Sequence, residues 1–173
     1  MNTSNLKTYD ILLYKGKGFT SWLIEVGTKS DYSHVAVVVD PGIYLGIESN
    51  TGSQSGVRAM DLRKADQKEV DIFRVKPKFR FDGKKVISFL VDHLGAKYDY
   101  LGVAGLGALK VLHVLSFGAI KVHNDFQREK DYFCSELIYQ AFNEGGLDIV
   151  PQVSEADVTS PGDIAQSERL QKI

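Results

Sequence analysis

Residues 33–40, SHVAVVVD, constrain the fold more than any other stretch of the chain. Four of the five residues after His34 are valine, whose β-branched side chain is stiff in a helix and packs well on a pleated sheet. A run so uniformly apolar suits a strand covered on both sides, and therefore a central one. Pro41-Gly42 closes it with a turn signal, and residues 43–49 (IYLGIES) read as the returning strand of a hairpin. His34 then stands at the rim of a rigid element.

The remaining periodicity fills in around that strand. Residues 9–14 (YDILLY), 57–62 and 69–76 (EVDIFRVK) read as further strands, with the polar loop 50–56 (NTGSQSG) between them. Residues 19–27 (FTSWLIEVG) predict a short helix closed by Gly27. After Pro77 the apolar period changes. Val86, Ile87, Leu90, Val91 and Leu94 fall on one helical face within 82–95, and Gly95 stops the run. Residues 132–144 (YFCSELIYQAFNE) repeat the pattern, with Leu137, Ile138, Ala141 and Phe142 directed inward and Gly145-Gly146 as the stop. Ser160-Pro161-Gly162-Asp163 reads as a turn opening a short C-terminal helix. Strands in the first half and helices in the second make an α+β fold. The 173 residues fit one domain, 1–173.

Composition narrows the function. Hydrophobic residues make up 43% and charged residues 25%, enough for a true core. A net charge of −1 argues against nucleic acid as the main partner, since phosphate binding needs a basic surplus. One basic stretch (Arg74, Lys76, Lys78, Arg80, Lys84, Lys85 and Lys97) reads as a solvated strand edge and helix face. The N-terminus has neither the basic nor the apolar region of a secretory signal, so cytoplasm is the expected compartment. The most apolar stretch, 101–122, is interrupted by Lys110, His113 and Lys121 and carries four glycines. It reads as a buried or surface-docking helical segment, with a membrane or acyl-chain contact as the alternative.

A single cysteine can form neither an intrachain disulfide nor a multi-cysteine zinc site; with histidines elsewhere it raises the question of a nucleophile. Cys134 falls at the start of the 132–144 helix, where unpaired backbone N–H groups and the helix dipole favour a thiolate and can hold an oxyanion. The bland alternative is a small buried hydrophobe. His34 is the candidate base. Glu48 lies fourteen residues on, across the turn, and hairpin pairing brings position 48 or 49 opposite His34. A carboxylate there would orient the imidazole, as the third member of a triad does. His93, near a helix C-terminus, and His113 and His123 are weaker candidates.

The order of these motifs carries a resemblance. His in S-H-V-A-V-V-V, Glu in G-I-E-S-N and Cys in Y-F-C-S-E-L-I-Y-Q-A-F resemble the circularly permuted papain-like hydrolases. Among these the chain is most similar to the YiiX/YebB-like branch, related to NlpC-type amidases and more distantly to lecithin:retinol acyltransferase. Tyr9-Asp10-Ile11-Leu12-Leu13 resembles the opening G-D-I-L strand, with tyrosine in place of the usual glycine. Gly95-Ala96-Lys97-Tyr98-Asp99 resembles the G-x-x-Y-D element, and Ser160-Pro161-Gly162-Asp163 the closing P-x-D turn.

The resemblance implies a permuted papain-like fold, an antiparallel sheet against helices with the nucleophile at a helix N-terminus. It carries nucleophile to Cys134, base to His34 and orienting acid to Glu48, with Tyr98 as a substrate contact; Ser33 and Ser135, which flank the histidine and the cysteine, complete the candidate contacts. The expected activity is amide cleavage through a thioester, on cell-wall-type peptides or small amino-acyl amides, with no metal or organic cofactor required. The rivals are a lipid-directed acyl hydrolase or acyltransferase using the same triad, and a non-catalytic binding module. Oligomeric state is not encoded in any spacing.

Overall fold

The computed structural model describes residues 5–15, 30–51, 55–65, 69–98, 132–153 and 159–173. The helix expected over 19–27 and the apolar stretch 101–122 lie outside them, as do His113 and His123. Five strands precede the described α-helices: β1 (Ile11–Lys15), β2 (Tyr32–Asp40), β3 (Leu45–Asn50), β4 (Gly56–Asp61) and β5 (Val70–Val75). Then come α1 (Gly83–Asp92), α2 (Cys134–Glu144), α3 (Pro161–Ala165) and β6 (Leu170–Lys172). The strands form one six-stranded sheet in the order β4-β3-β2-β1-β5-β6, every pairing antiparallel. This is the α+β arrangement that the distribution of periods implied.

Both faces of the sheet are covered at its centre, which is why β1 and β2 are apolar without alternation. On one face Ile11, Leu13, Val35, Val37, Ile47 and Val57 pack against Leu137, Ile138, Ala141 and Phe142 of α2, with Val86 and Leu90 of α1 behind. On the other, Leu12, Ala36 and Val38 meet Leu6 and Leu62. Each such valine, leucine, isoleucine or phenylalanine, fully buried, stabilises the fold by about 1.5–3 kcal/mol before conformational entropy is counted.

The helix ends are set by local chemistry. Asp82 caps α1, its carboxylate accepting from the backbone N–H groups of Lys84 and Lys85 at 3.0 and 3.3 Å. His93 closes it, with Nδ1 donating to the Phe89 carbonyl at 2.7 Å, so this histidine serves the helix terminus. Ser160 and Asp163 form a reciprocal capping box that starts α3, with Pro161 at its first position. In α2, by contrast, Phe133 offers no side-chain cap, and the first N–H groups of the helix are left to other partners.

Two boundaries differ from the sequence expectation. The β2–β3 turn occupies Pro41 to Tyr44 rather than two residues, Tyr44 taking a left-handed φ of 58° and donating its N–H to the Pro41 carbonyl at 3.3 Å. With a register shift between Val38 and Asp40, Ala36 is the residue opposite Glu48. His34 is therefore a diagonal neighbour of Glu48 on the same face, still within reach of long side chains. The second difference is β6, three residues that no periodicity could mark. It pairs with the outer edge of β5 and buries Leu170. None of the described helices is long and apolar enough to cross a membrane.

Candidate active site

Directly paired residues share a sheet face, so the register aligns Tyr14 of β1, His34 and Ala36 of β2, Glu48 of β3 and Arg58 of β4 on the face away from α2. At the start of β2 the imidazole of His34 has partners on two sides. Its Nε2–H donates to Glu48 Oε2 at 2.7 Å, and the Cys134 thiol, at the start of α2 in the helix-side core, acts on the same imidazole by a polar and charge interaction. With Nε2 committed to the carboxylate, Nδ1 is the nitrogen left for sulfur.

The electrostatics follow from those interactions. Burial by itself would push the His34 pKa down. Hydrogen bonds and charge from Cys134 and Glu48 outweigh it and raise the value to about 9. Glu48 would likewise be raised by burial, but donation and charge from His34, then hydrogen bonds from Arg58 and Asn50, hold it at about 2. Its Oε1 accepts from Arg58 Nε at 3.0 Å, Arg58 Nη2 at 2.8 Å and Asn50 Nδ2 at 3.1 Å. The Tyr14 ring lies 5.4 Å from the imidazole. Burial and then the Glu48 charge raise its phenol pKa, so it stays protonated, and its buried hydroxyl has no hydrogen-bond partner among the described residues.

These shifts make a stability prediction. The raised His34 pKa contributes stability that is complete below its ordinary 6.5 and lost as pH rises through about 9. The depressed Glu48 pKa contributes stability complete above its ordinary 4.5 and lost as pH falls through about 2. The melting-temperature gap between the parent and Glu48→Gln is therefore expected to be widest between pH 4.5 and 6.5 and to narrow on both sides. A gap that does not vary with pH, followed by circular dichroism, would show that the two groups are not ionically coupled.

The other candidate contacts are less prominent. Cys134 is the first residue of α2, itself only 3% exposed and part of the helix-side core. Ser135 is fully buried and donates its hydroxyl to the Thr159 carbonyl at 2.7 Å, which anchors α2 to the segment before α3. Ser33 is buried on β2, its position facing the helix side of the sheet. Tyr98 is buried next to Lys97, whose carbonyl accepts the Tyr132 N–H at 3.0 Å two residues before Cys134. A cleft of about 440 Å³ is lined by Tyr14, His34, Glu48, Asn50, Arg58 and Lys64 among others, on the carboxylate flank of the imidazole rather than at the sulfur. Tyr14, Asn50 and Arg58 were not candidates from sequence. The signal for Arg58 was available, since a cation inside a strand (GVRAMD) that follows a strand carrying a lone glutamate suggests a cross-strand pair.

The α+β fold with this six-stranded antiparallel sheet is YiiX-like. Models of known families match no part of the chain, and no curated protein matches its sequence. Among solved structures, the metalloprotein YiiX from Escherichia coli O157:H7, designated DUF1105, is similar over 96% of both chains, with a TM-score of 0.68 and 16% sequence identity. At that identity the likeness establishes a shared fold.

YiiX is described as a metalloprotein, so the donors here bear on whether a metal would fit. Among the described residues no group of three or more His, Cys, Asp or Glu is placed to hold a metal ion. Both Glu48 oxygens are already taken by donors, and one of those donors is a guanidinium. A cation at this carboxylate would stand against Arg58 and need the His34 Nε2 proton removed. The described residues at this carboxylate do not fit a metal ion.

Proposed function

We propose that the chain is a cysteine hydrolase of the permuted papain-like type, cleaving amide bonds in small peptides or amino-acyl amides. The observation that carries this reading is the hydrogen bond of His34 Nε2 to Glu48 Oε2, on an imidazole that also feels the Cys134 thiol. A protonated imidazole in contact with sulfur favours the thiolate, which is the attacking form. The Cys134 thiolate adds to the substrate carbonyl, and the backbone N–H groups of the uncapped first turn of α2 receive the negative oxygen. His34 gives its Nδ1 proton to the departing amine, and the C–N bond breaks to leave a thioester. Water then attacks the thioester, passing one proton to Nδ1. The acid leaves, and the imidazolium–thiolate pair is restored.

Alkylation by iodoacetamide tests the first requirement, and the lone cysteine makes intact mass an unambiguous readout. In the folded parent, Cys134 is expected to be alkylated at about pH 6, and His34→Ala to slow that reaction at least about tenfold. A thiol that stays inert until the protein unfolds, or that ignores the loss of His34, would overturn the proposal and leave Cys134 as core packing.

A further inference from the structure

We propose that Arg58 is a positioning residue for the site, fixing which Glu48 oxygen meets His34 and offsetting the charge that the carboxylate presents to the imidazole. The inference rests on the hydrolase reading above for its consequence, though not for its geometry.

Among the described residues, three donors converge on Glu48 Oε1, two of them from one guanidinium, and His34 is the partner of Oε2. Such a two-pronged contact restricts rotation of the carboxylate more than a point charge would. The geometry comes from the sheet, because Arg58 is the residue directly opposite Glu48 in the β3–β4 register. The carboxylate is 6% exposed and the arginine 31% exposed, so the pair is little screened at Glu48.

The consequence concerns proton release. A carboxylate without Arg58 would stabilise the imidazolium strongly, and an imidazolium held too firmly gives up its Nδ1 proton less readily to the departing amine. The guanidinium offsets part of that negative charge while leaving the hydrogen bond that sets the ring. The groups facing His34 are Tyr14 from β1, Glu48 from β3 with Arg58 behind it on β4, and Cys134 from α2. Lys64 and Asp61 line the same cleft, and Asp61 is tied to Arg63 at 2.8 Å. Among these, Arg58 is the cation bonded to the carboxylate that orients the ring.

The test is the His34 titration, read by NMR on histidine-labelled protein, in the parent, Arg58→Gln and Arg58→Lys. Glutamine keeps a donor for Oε1 and removes the charge, so the His34 midpoint is expected to rise by about one pH unit. Lysine keeps the charge and should hold the midpoint within about 0.3 unit of the parent. An Arg58→Gln midpoint that is unmoved or lower would overturn the proposal, with Arg58 then serving strand pairing alone. Should either variant fail to fold, Arg58→Met combined with Glu48→Gln removes the ion pair as a unit. Its midpoint must then match that of Glu48→Gln alone, and a difference between the two overturns the idea that Arg58 acts through Glu48. Inertness of the parent thiol to alkylation defeats the hydrolase reading without touching this readout, so the two can fail separately.

Discussion

Replacing Cys134 by alanine is expected to lower the cleavage of any amide the parent hydrolyses by about 10⁴–10⁶-fold, leaving only what binding and the oxyanion donors supply. The chain has one cysteine, so its sulfur is the atom that would form the thioester. The fold should survive, because one small side chain at the end of a helix loses little packing, on the order of 1 kcal/mol. His34→Ala should be nearly as damaging, and Cys134→Ala with His34→Ala no worse than either alone, since residues acting as a unit are not additive. Glu48→Gln should cost less, because glutamine retains an oxygen for Nε2. The measurement is kcat/KM on a panel holding both amides and acyl esters, so that a lipid-directed hydrolase is caught by the same variants. A Cys134→Ala protein with parental rates on any member of that panel would sink the mechanism.

What the sequence conveyed depended on how locally each feature is encoded. The central strand was legible because SHVAVVVD states both its extended conformation and its coverage on two faces. Helices α1 and α2 were legible from their apolar spacing and glycine stops, and α3 from the residues of its capping box. His34 and Glu48 could be paired because a hairpin has little freedom, whereas Cys134 was marked by its place at a helix start and by the resemblance. Even so, the pairing was displaced by the four-residue turn and the register shift near Asp40, neither of which any residue type announces. The diagonal reach of a histidine and a glutamate absorbed that error. Tyr14, Asn50 and Arg58 were not legible as site residues, because their membership follows from strand order and register. Asp10 likewise entered only through a resemblance, and Arg74 only as one of a basic run. Tertiary pairing joins them, and no spacing within either segment indicates it.

That pair leads to a stability prediction of a size comparable with any core truncation. Asp10 is wholly buried just ahead of β1, and its carboxylate accepts from Arg74 Nε at 2.6 Å, Arg74 Nη2 at 2.7 Å and the Lys7 N–H at 2.8 Å. Arg74, on β5, is a quarter exposed. Truncating the two partners is therefore not equivalent. Arg74→Met strands a carboxylate out of water with one backbone donor, which costs about 3–5 kcal/mol. In a chain of this length that loss lowers the melting temperature by roughly 10 °C. Asp10→Ala leaves an arginine that can turn toward solvent and donate elsewhere, so its cost is expected to be smaller, about 1–2 kcal/mol. The double variant should then be more stable than Arg74→Met alone, because removing the acid also removes the orphaned charge. Denaturant melts of the three proteins decide it, and purely additive losses would show that the ion pair is not what holds this corner of the sheet. The corner bears on function because β1 carries Tyr14 against His34. If β1 loosens in Arg74→Met, alkylation of Cys134 should lose part of its dependence on His34 well before the protein unfolds.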